Sequence, residues 1–161
     1  MYVPKGNIAL AQRQNQSRLP FWQAMSRLSV LIVDDFDPWR RFVADLLERA
    51  DDEFAYTFAT DGLEAVRKAV ELRPDVIVMD IALPWLNGIE AARQIRRLIP
   101  ESRILFMSSL ADPEVVRAAL RAGGRGYVLK SDAHGSLLRG MGAVLLGRFF
   151  LSSSLTDLAT S

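Results

Sequence analysis

Asp80 closes the run Asp75-Val-Ile-Val-Met-Asp80, so a carboxylate stands directly after four apolar residues. Other apolar runs end in a similar way. Leu28-Ser-Val-Leu-Ile-Val meets Asp34-Asp35, Ile104 to Met107 meets Ser108-Ser109, and Gly126-Tyr-Val-Leu129 meets Lys130. If these ends converge, three carboxylates, a hydroxyl and an ammonium share one cleft. Carboxylates at close quarters raise one another's proton affinity unless a cation sits among them. Oxygen donors of this kind suit Mg²⁺, which keeps waters and is usually held by one or two carboxylates plus phosphate oxygens. A lysine alongside supplies a point charge for a phosphoryl oxygen. Taken singly, each residue has a plainer reading; Asp80 alone could be a loop acid that caps the next turn.

The elements that must position these residues are legible as alternating strands and helices. Val76 to Met79 is too short for a helix and suits a strand buried on both faces; the runs ending at Val33 and Met107 read the same way. Phe54, Tyr56 and Phe58 alternate with Ala55, Thr57 and Ala59, which suits a less buried strand near a sheet edge. Asp37 followed by Pro38 reads as an N-cap with proline at the first helical position, ahead of a stripe through Phe42, Val43, Leu46, Leu47 and Ala50. Asp61 with Glu64 and Asn87 with Glu90 have capping-box spacing. The helix after Asp61 runs on Leu63, Val66 and Val70 to Pro74, and the one after Asn87 on Ile89, Ala92, Ile95 and Ile99 to Pro100. Asp112-Pro113 starts a fourth helix, apolar at Val115, Val116, Ala119 and Leu120 and stopped by Gly123-Gly124. A last helix over roughly 132–146 contains Gly140 and Gly142, each costing about 1 kcal/mol relative to alanine, so packing must hold it. Phe149, Phe150 and Leu151 are expected to pack back on the core. Five strand–helix repeats argue for a parallel sheet with helices on both faces, whose strand carboxyl ends share one ligand-binding rim.

The chain has 161 residues, half of them apolar, enough for one domain with a sizeable core plus tails. Residues 1–27 carry Lys5, Arg13, Arg18 and Arg27 without an acid, so they hold +4 and leave −3 to the rest of a chain whose net charge is +1. They are expected to be a flexible basic extension, with Met25 as an alternative initiator; residues 28–151 form the domain, and 152–161 a tail or the start of a linker. The overall charge predicts neither a nucleic-acid nor a membrane surface. Absence of cysteine excludes disulfides and thiolate metal sites and fits a reducing compartment. With no bilayer-length apolar run and no signal-peptide core, the expected location is the cytoplasm. The single His134 excludes a His-cluster metal site.

Together, Val33-Asp34-Asp35, Met79-Asp80-Ile-Ala-Leu-Pro84 with Gly88 four positions on, Phe106-Met107-Ser108 and Gly126-Tyr127-Val-Leu-Lys130 resemble the receiver domain of two-component response regulators. The resemblance spans about Leu28 to Leu151. It implies a doubly wound, five-stranded, flavodoxin-like fold of strand order 2-1-3-4-5. It also implies that Asp80 accepts a phosphoryl group from the phosphohistidine of a sensor kinase or phosphotransfer protein. Mg²⁺ would be bound by Asp35 directly, by Asp34 largely through water, by Asp80 and by the backbone carbonyl of Ala82. Lys130 would pair with phosphoryl oxygens, Ser108 would donate its hydroxyl to them, and Tyr127 would change rotamer as Ser108 moves. Such a protein is a phosphoacceptor rather than an enzyme, loses its phosphoryl group slowly, and can dimerise when phosphorylated.

Ser131 in place of the usual proline, together with Gly147-Arg-Phe-Phe-Leu-Ser152, resembles the LuxR/NarL branch, whose members regulate transcription. Members of that branch continue into a helix-turn-helix domain, so contact with DNA is expected only through a domain absent from this sequence. Ala82 and Leu110, neither acidic nor amide, leave the dephosphorylation rate open. Trp39 and Trp85 are expected near the cleft. One rival is a Mg²⁺-dependent phosphohydrolase with an aspartyl-phosphate intermediate, which wants an acid two residues after the nucleophile; Ala82 stands there. A nucleotide-binding domain wants a glycine-rich turn after the first strand, where this chain has Asp34-Asp35-Phe-Asp-Pro. A phosphorylation-independent pseudo-receiver would reduce the same charged residues to a structural ion-pair network.

Overall fold

A computed structural model of the chain describes residues 27–50 and 54–159. Apart from Arg27, the basic extension expected over 1–27 lies outside them, as does Met25. In chain order the elements are β1 (Leu28–Val33), α1 (Asp37–Ala50), β2 (Phe54–Ala59), α2 (Gly62–Leu72), β3 (Val76–Met79) and α3 (Gly88–Leu98). There follow β4 (Ile104–Ser108), α4 (Pro113–Arg121), β5 (Gly124–Leu129), a 3-10 turn (Lys130–Asp132), α5 (Ala133–Leu145), β6 (Phe150–Leu151) and α6 (Ser153–Ala159).

The strands form one parallel sheet in the order β2-β1-β3-β4-β5-β6. Alternate residues of each central strand enter opposite cores. Leu31, Val33, Ile77, Met79, Ile104, Phe106 and Tyr127 pack under α2, α3 and α4, while Val30, Ile32, Val76, Val78, Leu105, Met107 and Val128 pack under α1 and α5. Both faces are covered, which is why these strands read as continuous apolar runs instead of alternating ones. β2 lies at the edge with the alternating exposure its sequence implies.

The doubly wound flavodoxin-like class stands, with one strand more than the five expected. The sixth arises because Phe150 and Leu151 pair with Gly126 and Tyr127. Phe150 also explains Gly140: a Cβ there would come within 2.9 Å of its ring and 3.2 Å of Leu105 Cδ2. Phe149 does not join the core; it is 68% exposed.

Three local expectations need correction. Asp37 opens α1 but spends its carboxylate on Arg40 (2.9 Å) and Arg41 (2.7 Å). Glu64 completes its capping interaction through the Thr60 N–H, at 3.3 Å, while Asp61 accepts from Glu64 N at 2.7 Å. In α2 the fully buried residues are Ala65 and Ala69, whereas Leu63 and Val70 are exposed. The helix start lies against the backbone of Leu86, where a Cβ on Gly62 would meet a carbonyl at 1.8 Å, and Ala65 and Ala69 continue that small-residue face into the core shared with α3. Residues 152–159 continue the fold: Ser152 is fully buried and α6 follows it. Among the described residues no helix is long and apolar enough to cross a membrane.

Candidate functional site

The register of the sheet assembles the site. Val33 pairs with Met79 and Met79 with Phe106, so Asp34 and Asp80 each stand one residue beyond a matched pair. Asp80 N donates to Val33 O at 2.9 Å and Asp34 N to Ala59 O at 3.1 Å, which carries the sheet bonding up to the two acids. Ser108 and Leu129 are also paired, placing Lys130 one step past the end of β5. The five strand-end residues therefore share one rim.

Their side chains converge. Ligand oxygens of Asp34, Asp35 and Asp80 all lie within 4.8 Å of one another. Lys130 Nζ sits 2.8 Å from Asp34 Oδ2 and 3.1 Å from Asp80 Oδ2, with all three side chains at most 9% exposed. Asp35 is exposed at the mouth. Asp34 Oδ1 accepts from Phe36 N at 2.9 Å, and Asp80 Oδ1 from Ile81 N at 2.7 Å. Burial, then the adjacent Asp34 charge, pushes the Asp80 carboxyl above its ordinary value, against the pull of Lys130 and the Ile81 N–H. Burial works against the Lys130 ammonium, but Asp34 and Asp80 outweigh it and hold the lysine above its usual value.

Three carboxylates facing one ammonium leave an excess of negative charge in a poorly hydrated cleft. One oxygen shows this directly. Asp34 Oδ2 is buried and, apart from the Lys130 ammonium at 2.8 Å, has no hydrogen-bond partner among the described residues. An all-oxygen cluster of three carboxylates with one ammonium as its only counter-charge among the described residues fits a hard divalent cation of the Mg²⁺ type.

The loop after Asp80 is shaped by close backbone approach. Gly88 N and Leu83 N both donate to Ile81 O, at 2.8 and 2.9 Å, and Ala82 is exposed beside them with its carbonyl outside those bonds. A Cβ on Gly88 would come within 1.9 Å of Asp80 O, so only glycine lets α3 start here. Asn87 caps that helix, accepting from Ile89 N and Glu90 N at 3.0 Å each.

Ser108 is buried at the end of β4, its Oγ accepting from Leu110 N at 3.2 Å. Tyr127 is fully buried, its hydroxyl donating to Leu110 O at 2.6 Å. Burial raises the Tyr127 hydroxyl above its ordinary value, with the Ser108 hydroxyl opposing and the Asp80 charge adding. Ser108 and Tyr127 thus share the Leu110 backbone.

Of the two tryptophans expected near the cleft, Trp39 places its ring centroid 5.0 Å from Lys130 Nζ. Trp85 is 84% exposed on the loop after Asp80, at φ 69. Arg40 escaped the sequence reading: its Nη1 donates to Asp34 O at 2.9 Å while Nη2 holds Asp37. Its only signal was a place one turn into the helix that follows the acidic pair.

Residues 30–140 match the model of the response regulator receiver domain. The chain is 43% identical over 112 residues to a protein-glutamate methylesterase/protein-glutamine glutaminase of Thermotoga maritima, covering 68% of this chain and 32% of that protein. It is 32% identical over 129 residues to the transcriptional regulatory protein LnrK of Bacillus subtilis, covering 80% of this chain and 59% of the relative. It therefore spans about a third to three fifths of these relatives. Among solved structures, a LuxR-family two-component response regulator from Aurantimonas sp. SI85-9A1 superposes with a TM-score of 0.77 at 34% identity, covering 82% of this chain and 94% of that one.

Proposed function

The chain belongs to the response regulator receiver domain family, and from that premise we propose that Asp80 is its phosphoacceptor. The observation that carries this reading is the buried ion pair of Lys130 with Asp80 and Asp34 inside a cluster of three carboxylates. An Asp80 carboxylate oxygen forms a bond to phosphorus while the bond from phosphorus to a donor imidazole nitrogen breaks, and the imidazole leaves with the electron pair. The donor is a sensor histidine kinase or a phosphotransfer protein.

Asp34, Asp35, Asp80 and the Ala82 carbonyl are the groups that would hold Mg²⁺. When bound, the ion would neutralise charge developing on the phosphoryl oxygens. Lys130, already poised over Asp80, exchanges one carboxylate oxygen for a phosphoryl oxygen. Ser108 supplies a hydroxyl to the same group, and Tyr127, bonded to the Leu110 backbone beside it, follows the movement. About two added negative charges and three acceptor oxygens create the differential contact that favours the active arrangement.

A phosphohydrolase, which wants an acid two residues after the nucleophile, is disfavoured by the alanine at 82; slow loss of the acyl phosphate is what the family membership leads us to expect. Relatives named as transcriptional regulators favour a DNA-binding output carried by another segment, with dimerisation on phosphorylation as the means of engaging it.

The test is intact-mass analysis after incubation with acetyl phosphate and Mg²⁺. One phosphoryl adduct on the wild type and none on Asp80→Ala supports the reading. An adduct that survives in the variant removes Asp80 as the acceptor.

A further inference from the structure

The segment from Leu151 to Ser154 is tied by hydrogen bonds to the residues flanking Lys130. β6 pairs with β5 at Gly126 and Tyr127. Ser152, fully buried, donates its N–H to Tyr127 O at 3.0 Å and accepts from Leu129 N on its Oγ at 3.1 Å. Ser154 donates its N–H to Asp132 Oδ2 at 3.2 Å and its hydroxyl to Asp132 Oδ1 at 2.8 Å. Leu155 is buried in the core cluster that contains Tyr127. Phe150 is also held by Arg139 and the Gly140 region of α5, but the hydrogen bonds that tie residues 151–154 down all go to Tyr127, Leu129 or Asp132.

We propose that Phe150–Ala159 is a strap, closed onto the Tyr127–Asp132 backbone in the unphosphorylated protein and loosened when Asp80 carries a phosphoryl group. The inference rests on the phosphoacceptor reading of Asp80 and deepens it. Lys130 now contacts two carboxylate oxygens directly. A phosphoryl oxygen lies farther from the Asp80 backbone than the carboxylate oxygen it replaces, so Lys130 Nζ shifts outward to meet it, and the strap loosens to the extent that the turn Lys130–Asp132 follows. Displacing that turn pulls the Asp132 carboxylate, both of whose oxygens accept from Ser154, away from the strap. The remaining hydrogen bonds are individually modest, so losing part of the set opens the segment locally without unfolding the sheet.

The strap was partly visible in the sequence as apolar residues at 149–151, but its polar half was not. Ser152, Ser154 and Asp132 gain meaning only once β6 brings them beside β5.

The experiment is amide hydrogen exchange on the whole chain with and without beryllofluoride and Mg²⁺, beryllofluoride standing in for the phosphoryl group. Binding is read independently from the bound ¹⁹F resonance. Exchange at Leu155 and Thr156 should rise by about tenfold when beryllofluoride is bound. Asp132→Ala should raise exchange there to a similar level with no ligand while leaving beryllofluoride binding unchanged. Ser154→Ala, which keeps the carboxylate, should give a smaller rise in the same direction. A bound ¹⁹F signal with unchanged or slower exchange at these amides overturns the strap and leaves the phosphoacceptor reading intact. No bound ¹⁹F signal overturns both.

Discussion

Lys130 Nζ stands 2.8 Å from Asp34 Oδ2, an oxygen shielded from solvent that no other donor among the described residues reaches. That pair links the first strand to the last element of the site, and it makes the lysine a counter-ion before it is a phosphoryl ligand. Removing one partner from a buried pair typically costs about 3 kcal/mol, because the other charge is left uncompensated. Lys130→Met is therefore expected to lower stability by about that amount in metal-free buffer. Mg²⁺ should recover a large part of it by replacing the lost positive charge, as read by urea denaturation with and without the ion. A loss that Mg²⁺ does not reduce would place the cation elsewhere.

Asp80 gives the opposite sign. Burial and Asp34 hold its carboxyl above the ordinary 3.8, so ionised Asp80 destabilises the folded chain. The cost is absent below the unfolded value and complete once the pH exceeds the raised folded value. Asp80→Asn should accordingly be the more stable protein at neutral pH without Mg²⁺, by on the order of 1 kcal/mol. The gap should close as the pH falls through the folded carboxyl value. Thermal melts of both proteins across that range check the sign.

Gly88 couples α3 to the site through a contact with Asp80 O that no side chain can share. Gly88→Ala must shift either the helix start or the Asp80 backbone, with an expected loss of about 2 kcal/mol and of phosphorylation by acetyl phosphate. Full phosphorylation of this variant would show the loop to be more forgiving than its close packing implies.

Trp85 holds a positive φ of 69 with its ring in solvent, and the only bond that spans it among the described residues is the backbone one from Leu86 N to Pro84 O at 2.8 Å, which glycine would keep. Trp85→Gly should raise stability by about 1 kcal/mol, measured by chemical denaturation. Unchanged or reduced stability would mean that the ring makes a contact in solution.

How much of this could be read from the sequence follows from the physics of each part. The central strands and the rim residues Asp34, Asp80, Ser108 and Lys130 were legible because doubly covered parallel strands leave unbroken apolar runs, and a polar residue ending such a run is conspicuous. The inward face of α2 was not, since Ala65 and Ala69 are small residues buried in the core that α2 shares with α3 and the sheet, and hydrophobicity alone favoured Leu63 and Val70. β6 is two residues long, below the length at which a period can be seen. Asp132 and Arg40 bond to groups far away in the chain or to a backbone carbonyl, and neither leaves a pattern in the residues around it.

The central claim, that Asp80 takes the phosphoryl group, is tested most directly by trapping the acyl phosphate. Borohydride reduction after acetyl phosphate and Mg²⁺ treatment converts a phosphorylated aspartate to homoserine, which peptide mass mapping locates. Homoserine at position 80 alone is the predicted result. Homoserine at position 34 or 35, or at no position despite an intact-mass adduct, would contradict it.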